Sequence, residues 1–266
     1  MIKFSSEEKS IQRELAALTL RAACPIVWHD RKKRSPKTVD GATCFFIRFE
    51  NGIVGITAHH VLNAYKHAFA SNSNVVCQLR TSSPFDFTSA VIDTDESRDL
   101  ATFRISDRML GEAETVALDC RGIWPPPRID DQRWLSACGF PESMRRVTES
   151  GGLMSDAWGA LPIVESFTDS EILITYDPSR DEAADWAQGR PPLGTNLSGC
   201  SGGPVLMHGE LNGLQRWFPV GFVAAGPRNL GEGTSAEFDI IRVRRIHMMQ
   251  PDGKIAKNDY AGWLPR

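Results

Sequence analysis

Leu197-Ser198-Gly199-Cys200-Ser201-Gly202-Gly203-Pro204-Val205-Leu206 has at its centre Gly199-x-Ser201-Gly202-Gly203-Pro204, which gathers three glycines and a proline around one hydroxyl, that of Ser201. Glycine reaches backbone conformations that a Cβ forbids, so such a run turns tightly and aims several N–H groups at one point. Read alone, it is equally a glycine-rich turn that happens to contain a serine. The two readings part on what the rest of the chain supplies. A serine hydroxyl is a poor nucleophile at neutral pH; it needs a base within hydrogen-bond reach, and the base needs an orienting group.

The histidines are His29, His59, His60, His67, His208 and His247. Only His59 and His60 directly follow an apolar strand pattern, in Gly55-Ile56-Thr57-Ala58-His59-His60-Val61-Leu62. Asp99 opens Asp99-Leu100-Ala101-Thr102-Phe103-Arg104-Ile105, a carboxylate just before an apolar strand, where it can be held partly buried against an imidazole. Asp95 and Glu96 precede no such strand and read as solvated loop charges. His208, just past the serine motif, reads as a surface or sheet-edge residue.

Around these motifs the pattern is β. Cys44–Phe49 and Ile53–Thr57 are apolar runs separated by Asn51-Gly52, a strong hairpin signal. Further short strands are expected near 74–79, 89–92, 101–105 and 115–118. Trp124-Pro125-Pro126-Pro127 lacks N–H donors and reads as a connector. Strands resume near 134–138, 161–164, 172–176, 205–207, 220–224 and 238–243, the last entering a short terminal helix. The acidic, proline-containing stretch 177–195 reads as an excursion loop with a helical turn near 182–187.

At the N-terminus, Ser5 and Glu8 have capping-box spacing, and Ile11, Leu15, Leu18 and Ala22 share one helical face that Pro25 closes. This helix is expected on the outside of the fold. Arg31-Lys32-Lys33-Arg34 with Lys37 has no interleaved aromatics, so a solvated loop is favoured over a nucleic-acid contact.

The chain has 266 residues and a net charge of −3, which gives no bulk reason to expect nucleic acid or an anionic membrane as partner. No apolar run approaches the ~18 residues of a membrane span, and no secretory signal is visible at the start. Cys24, Cys44, Cys77, Cys120, Cys138 and Cys200 show no C-x-x-C spacing, so neither a zinc site nor a redox pair is signalled. They read as reduced thiols of a cytoplasmic protein without metal or cofactor.

Thr57-Ala58-His59-His60, Asp99-Leu100-Ala101 and Gly199-x-Ser201-Gly202-Gly203-Pro204 together resemble the three catalytic motifs of trypsin-like, chymotrypsin-fold serine peptidases, in that family's order of His, Asp and Ser. The resemblance covers roughly residues 40–245 in layout. It implies a mainly β fold of two tandem six-stranded antiparallel barrels behind an N-terminal helix. The boundaries it implies are a helix in 1–25, a first barrel over 40–120, a second over 130–250, and a tail over 251–266, all in one peptidase domain.

The family motif T-x-x-H places the base at His60, with His59 the alternative. The implied roles are Ser201 as nucleophile, His60 as general base then acid, and Asp99 as its orienting carboxylate. The backbone N–H groups of Gly199 and Ser201 are implied as the oxyanion hole. The digestive members carry an aspartate just before the nucleophile, which pairs with a freshly cut N-terminus. Cys200 stands there instead, so the chain is similar to the non-zymogen bacterial and intracellular branch. Val61 replaces the cysteine that usually follows the histidine, leaving Cys44 without the family's disulfide partner. Cys200 as nucleophile would put the motif one residue out of frame and is the weaker choice.

Gly139-Phe140-Pro141 resembles a turn near the start of the family's second barrel, and 221–226 the strand that binds substrate backbone. On that resemblance Ala224, Ala225 and Gly226 line the substrate and Thr195 the floor of the primary pocket. With no carboxylate on the floor, a small or medium apolar side chain is expected there, not Lys or Arg. The function implied is endopeptidase action on a protein or peptide substrate, without propeptide removal. The rivals are a catalytically silent module that binds peptides or a protein partner, and an enzyme held inactive until a regulatory partner binds.

Overall fold

Asn51-Gly52 turns the chain between two long strands, whose register runs from Phe49↔Gly52 to Phe45↔Ile56. This hairpin is the middle of a larger sheet. The computed structural model describes residues 6–32, 39–127, 135–147, 153–176, 197–226 and 239–257. In chain order the first half holds helix α1 (Ser6–Ala22), β1 (Ala23–Asp30), β2 (Asp40–Phe49), β3 (Gly52–Ala58), helix α2 (His59–Ser71), β4 (Val75–Leu79), the short helix α3 (Phe87–Ala90), β5 (Val91–Asp95), β6 (Leu100–Ile105), the short helix α4 (Asp107–Glu112) and β7 (Ala117–Asp119). The second half holds β8 (Leu135–Gly139), a 3-10 turn (Glu142–Met144), β9 (Arg145–Val147), β10 (Leu153–Ser155), β11 (Trp158–Ala160), β12 (Ile163–Phe167), β13 (Glu171–Tyr176), β14 (Pro204–Leu211), β15 (Leu214–Ala225) and β16 (Asp239–Arg245).

The architecture is mainly β, with antiparallel sheets and a half-barrel. The first sheet runs β4-β1-β2-β3-β6-β5, with β7 added in parallel to β2; the second runs β11-β8-β14-β15-β16-β13-β12; β9 and β10 form a separate ribbon. The expectation was six strands in each of two closed barrels. Each main sheet instead has seven strands, and no ladder among the described residues joins its two edges.

The first lobe is filled by aromatic side chains meeting edge to face: Phe46 on Phe103 with centroids 6.1 Å apart, and Phe87 on Phe103 at 5.1 Å. Such contacts add roughly 0.5–1.5 kcal/mol each beyond the area they bury. The second lobe has its own aliphatic core, including Ile172, Ile174, Val205, Val223, Ile241 and Val243.

Several local expectations are corrected. Pro25 does not merely end the helix: Ala23–Asp30 is a central strand paired on both sides. The proline is tolerated because the β4 ladder begins only at Ile26, while the Pro25 carbonyl still accepts from Arg80 N–H at 3.0 Å. His59 opens a thirteen-residue helix, buried along Val61, Leu62 and Tyr65. The terminal helix expected after β16 is absent among the described residues, where 246–257 is a series of turns closed by a Met249↔Ile255 bridge. The helical turn near 182–187 lies outside the described residues, as does most of the basic run.

The first and last described segments each cross to the opposite lobe. Helix α1 packs on β8, β14 and β11 of the second sheet before β1 enters the first. After β16, Ile246, Met248, Met249 and Ile255 join the first-lobe core. Thr102 Oγ1 donates to Gly253 O at 2.6 Å, Ile255 N–H to Asp93 Oδ2 at 2.9 Å, and Trp124 Nε1 to Met249 O at 2.7 Å. These crossings tie the two lobes to each other. No helix among the described residues is long and apolar enough to cross a membrane.

Candidate active site

β3 carries Thr57 to its end, and α2 begins at once, so His59 and His60 occupy the helix's first turn. The first N–H groups of a helix need outside acceptors. Both come from Asp99, on the turn before the neighbouring strand β6. His59 N–H donates to the Asp99 carbonyl at 2.9 Å, and His60 N–H to Asp99 Oδ1 at 2.9 Å. The other carboxylate oxygen, Oδ2, accepts from His60 Nδ1 at 2.8 Å. One carboxylate therefore grips both the backbone and the ring of His60. With Nδ1 carrying the proton toward Asp99, Nε2 is left as the basic nitrogen.

Of the two histidines the structure brings His60, and not His59, to Asp99. The His60 side chain is 51% exposed and Asp99 23%, so the imidazole is the more open of the two groups.

Asp99 itself has φ 53°, the left-handed region that aspartate enters more readily than most residues. The turn that imposes this conformation is built by Asp95. Its carboxylate accepts from Ser97 Oγ at 2.6 Å, from Arg98 N–H at 3.0 Å and from the Arg98 guanidinium. Burial pushes the Asp95 carboxyl up, but the bonds from Ser97 and Arg98 outweigh it and hold it below the usual carboxylate range. Asp95 is thus not the solvated loop charge that the sequence suggested.

On the facing lobe, residues 197–203 make a loop held largely by its own peptide groups. Cys200 N–H donates to Leu197 O at 2.9 Å, closing a turn whose third residue, Gly199, has φ 95°. That value is the mark of a type II turn and strains any side chain. Gly202 N–H donates to Val223 O, and Gly203 N–H to Cys200 O, both at 2.8 Å. The carbonyls of Ser198, Gly199 and Ser201 accept from Glu142 N–H at 2.7 Å, Thr43 Oγ1 at 2.8 Å and Thr43 N–H at 3.0 Å. The N–H groups of Gly199 and Ser201 have no acceptor among the described residues.

A trans peptide points its N–H away from its C=O. Because Glu142 holds the Ser198 carbonyl, the Gly199 N–H is directed away from the 140–145 segment.

Thr43 ties this loop to the first lobe. Fully buried, it bonds Ser201 O and Gly199 O, receives Phe140 N–H on its hydroxyl at 2.9 Å, and accepts Thr57 Oγ1 on its carbonyl at 2.8 Å. The approach is close enough that a methyl on Gly202 would lie 2.1 Å from Thr43 O and 2.4 Å from Thr57 Oγ1. Ser201 is thereby seated beside the end of β3, three residues from His60. Its hydroxyl donates to Ala224 O across a long 3.4 Å, a weak contact that rotation about χ1 releases.

Replacing Thr43 by Val keeps the shape and strands two buried groups, Gly199 O and Phe140 N–H. A loss of roughly 1–3 kcal/mol for each is expected in denaturant unfolding.

No family model matches the chain, and no curated protein matches it.

Cys200 is completely buried, and burial pushes its thiol well above the ordinary value, with Cys138 adding to the rise and Arg145 opposing it. A thiol so placed is a packing group and not a nucleophile. All six cysteines are buried and free. Ala224, Ala225 and Gly226 lie at the end of β15, where Ala225 is exposed and Gly226 packs on Leu197. Thr195 lies outside the described residues. The His208 ring lies tilted against Trp217, centroids 5.9 Å apart, within the β14–β15 hairpin. Among the described residues no group of three or more His, Cys, Asp or Glu is arranged to hold a metal ion.

Thr43, Asp95 and the 140–145 segment are the contributors that sequence reading missed. Thr43 stands in an otherwise apolar strand entry, and only that polarity could have drawn attention to it.

Proposed function

We propose that the chain is a serine endopeptidase of trypsin-like type, its two seven-stranded sheets being the two halves of a double-barrel framework. Ser201 attacks the scissile carbonyl. His60 Nε2 takes its proton and delivers it to the leaving amine, so that a C–N bond breaks as a C–O bond forms. Asp99 keeps the His60 proton on Nδ1 and stabilises the imidazolium. The Gly199 and Ser201 N–H groups receive the negative charge that develops on the carbonyl oxygen; one such donor is worth roughly 3–4 kcal/mol of transition-state stabilisation. Water then hydrolyses the acyl-enzyme by the same steps.

The observation that carries this reading is that the Gly199 and Ser201 N–H groups have no acceptor among the described residues, on a loop seated against the strand that leads into the His60–Asp99 pair. The substrate backbone adds beside Ala224, Ala225 and Gly226, and the peptide or protein substrate is the only partner the mechanism requires. A cytoplasmic setting fits the six free thiols.

The test is covalent labelling. A fluorophosphonate probe should modify Ser201 and no other residue, read by peptide mass mapping. Absence of labelling on folded protein, or modification of Cys200 instead, overturns the proposal.

A further inference from the structure

Behind the Ser201 loop lies an arginine that the mechanism above does not use. Arg145 follows the 3-10 turn Glu142–Met144 and folds back, so that Nη2 donates to Phe140 O at 3.0 Å. A methyl on Gly199 would lie 2.5 Å from that same Nη2, 2.7 Å from Phe140 O and 2.8 Å from Glu142 N. The guanidinium therefore sits in contact with the Gly199 backbone, on the side opposite to its N–H.

Two more contacts close this collar: Glu142 N–H holds the Ser198 carbonyl at 2.7 Å, and Ser198 Oγ donates to Glu142 Oε2 at 3.3 Å. Arg145 Nε and Nη1 are buried without a hydrogen-bond partner among the described residues. An apolar side chain of the same length would fill this space without leaving donors unpaired. Burial lowers the pKa of Arg145, with Glu142, Cys200 and Asp40 acting in the opposite sense; an arginine remains charged regardless.

We infer that Arg145 is a positioning residue for the oxyanion hole: it braces the Ser198–Gly199 peptide with its N–H turned toward the substrate and sets a buried positive charge behind it. The inference rests on the peptidase reading. It gives that reading a mechanism for holding the hole formed where Cys200 offers no carboxylate for a new N-terminus to bind. The collar consists of the chain's own residues.

The experiment compares wild type, R145M and R145K in steady-state peptide hydrolysis and in inhibition by a peptide boronate, whose adduct with serine mimics the tetrahedral intermediate. R145M should lower kcat roughly 10- to 100-fold, leave KM within about twofold, and weaken the boronate in proportion to kcat. R145K, which keeps the charge, should recover much of the loss. Wild-type kcat in R145M overturns the inference, as does a kcat loss without weakened boronate binding or without rescue by lysine.

If circular dichroism shows R145M unfolded, R145Q takes its place; should neither neutral variant fold, Arg145 is a structural residue and the inference falls. A wild type that neither labels with fluorophosphonate nor cleaves peptides fails at the earlier step, overturning the peptidase reading and this inference with it.

Discussion

Ser201→Ala is expected to lower kcat by about a million-fold while leaving the fold unchanged. The size follows from the mechanism: without the hydroxyl there is no acyl-enzyme, and only the oxyanion donors and substrate binding remain. The structural silence follows from the contacts. The hydroxyl makes one hydrogen bond, at 3.4 Å to Ala224 O, and the loop is held by its backbone through Thr43, Val223 and Cys200. A change in unfolding free energy within about 1 kcal/mol is expected. Turnover of a peptide substrate, followed with the wild type in parallel and with circular dichroism as the fold check, decides the matter. Normal turnover in the alanine variant would sink the mechanism.

Asp99→Asn is expected to reduce kcat by about ten-thousand-fold. Asparagine is nearly the same shape and also tolerates the left-handed backbone at φ 53°. The turn and the α2 N-terminus therefore keep their geometry. With its amide oxygen still accepting from His60 N–H, the amide nitrogen faces Nδ1. Two donors cannot share that bond, so the imidazole proton moves to Nε2, which can then no longer accept from Ser201.

Loss of the negative charge at the start of α2 costs a further 0.3–1 kcal/mol or so of stability. The informative readout is the contrast between a large kcat loss and a small change in unfolding midpoint. A full rate in the asparagine variant would reduce Asp99 to a helix cap.

The structure also bears on the reading of a silent or partner-triggered module. A backbone hole can be undone by turning over the Ser198–Gly199 peptide, which leaves no trace in sequence. Here that peptide's carbonyl accepts from Glu142 N–H, and Arg145 Nη2 would lie 2.5 Å from a methyl on Gly199.

Much of this molecule was legible in its sequence, and for local reasons. The Asn51-Gly52 turn, the short apolar strands and the type of the N-terminal helix follow from residue preferences that act within a few positions. The identity of His60, Asp99 and Ser201 as the groups to watch came from motif spacing, and the structure pairs the first two. Other features depend on contacts that no local pattern encodes. Thr43 meets Gly199 across 156 positions, and Phe140 across 97. Thr102 reaches Gly253 across 151 positions.

Asp95 looked like any loop acid until the turn it organises placed Asp99 under His60. The choice between His59 and His60 was decided by the hundred-degree step between neighbours on a helix, which turns only one ring toward the carboxylate. Sequence alone determined which chemical groups the chain carries and which segments extend or coil, because those are properties of neighbours. Tertiary structure decided which groups meet and which N–H groups stay unpaired, because both depend on how two separately built lobes close upon each other.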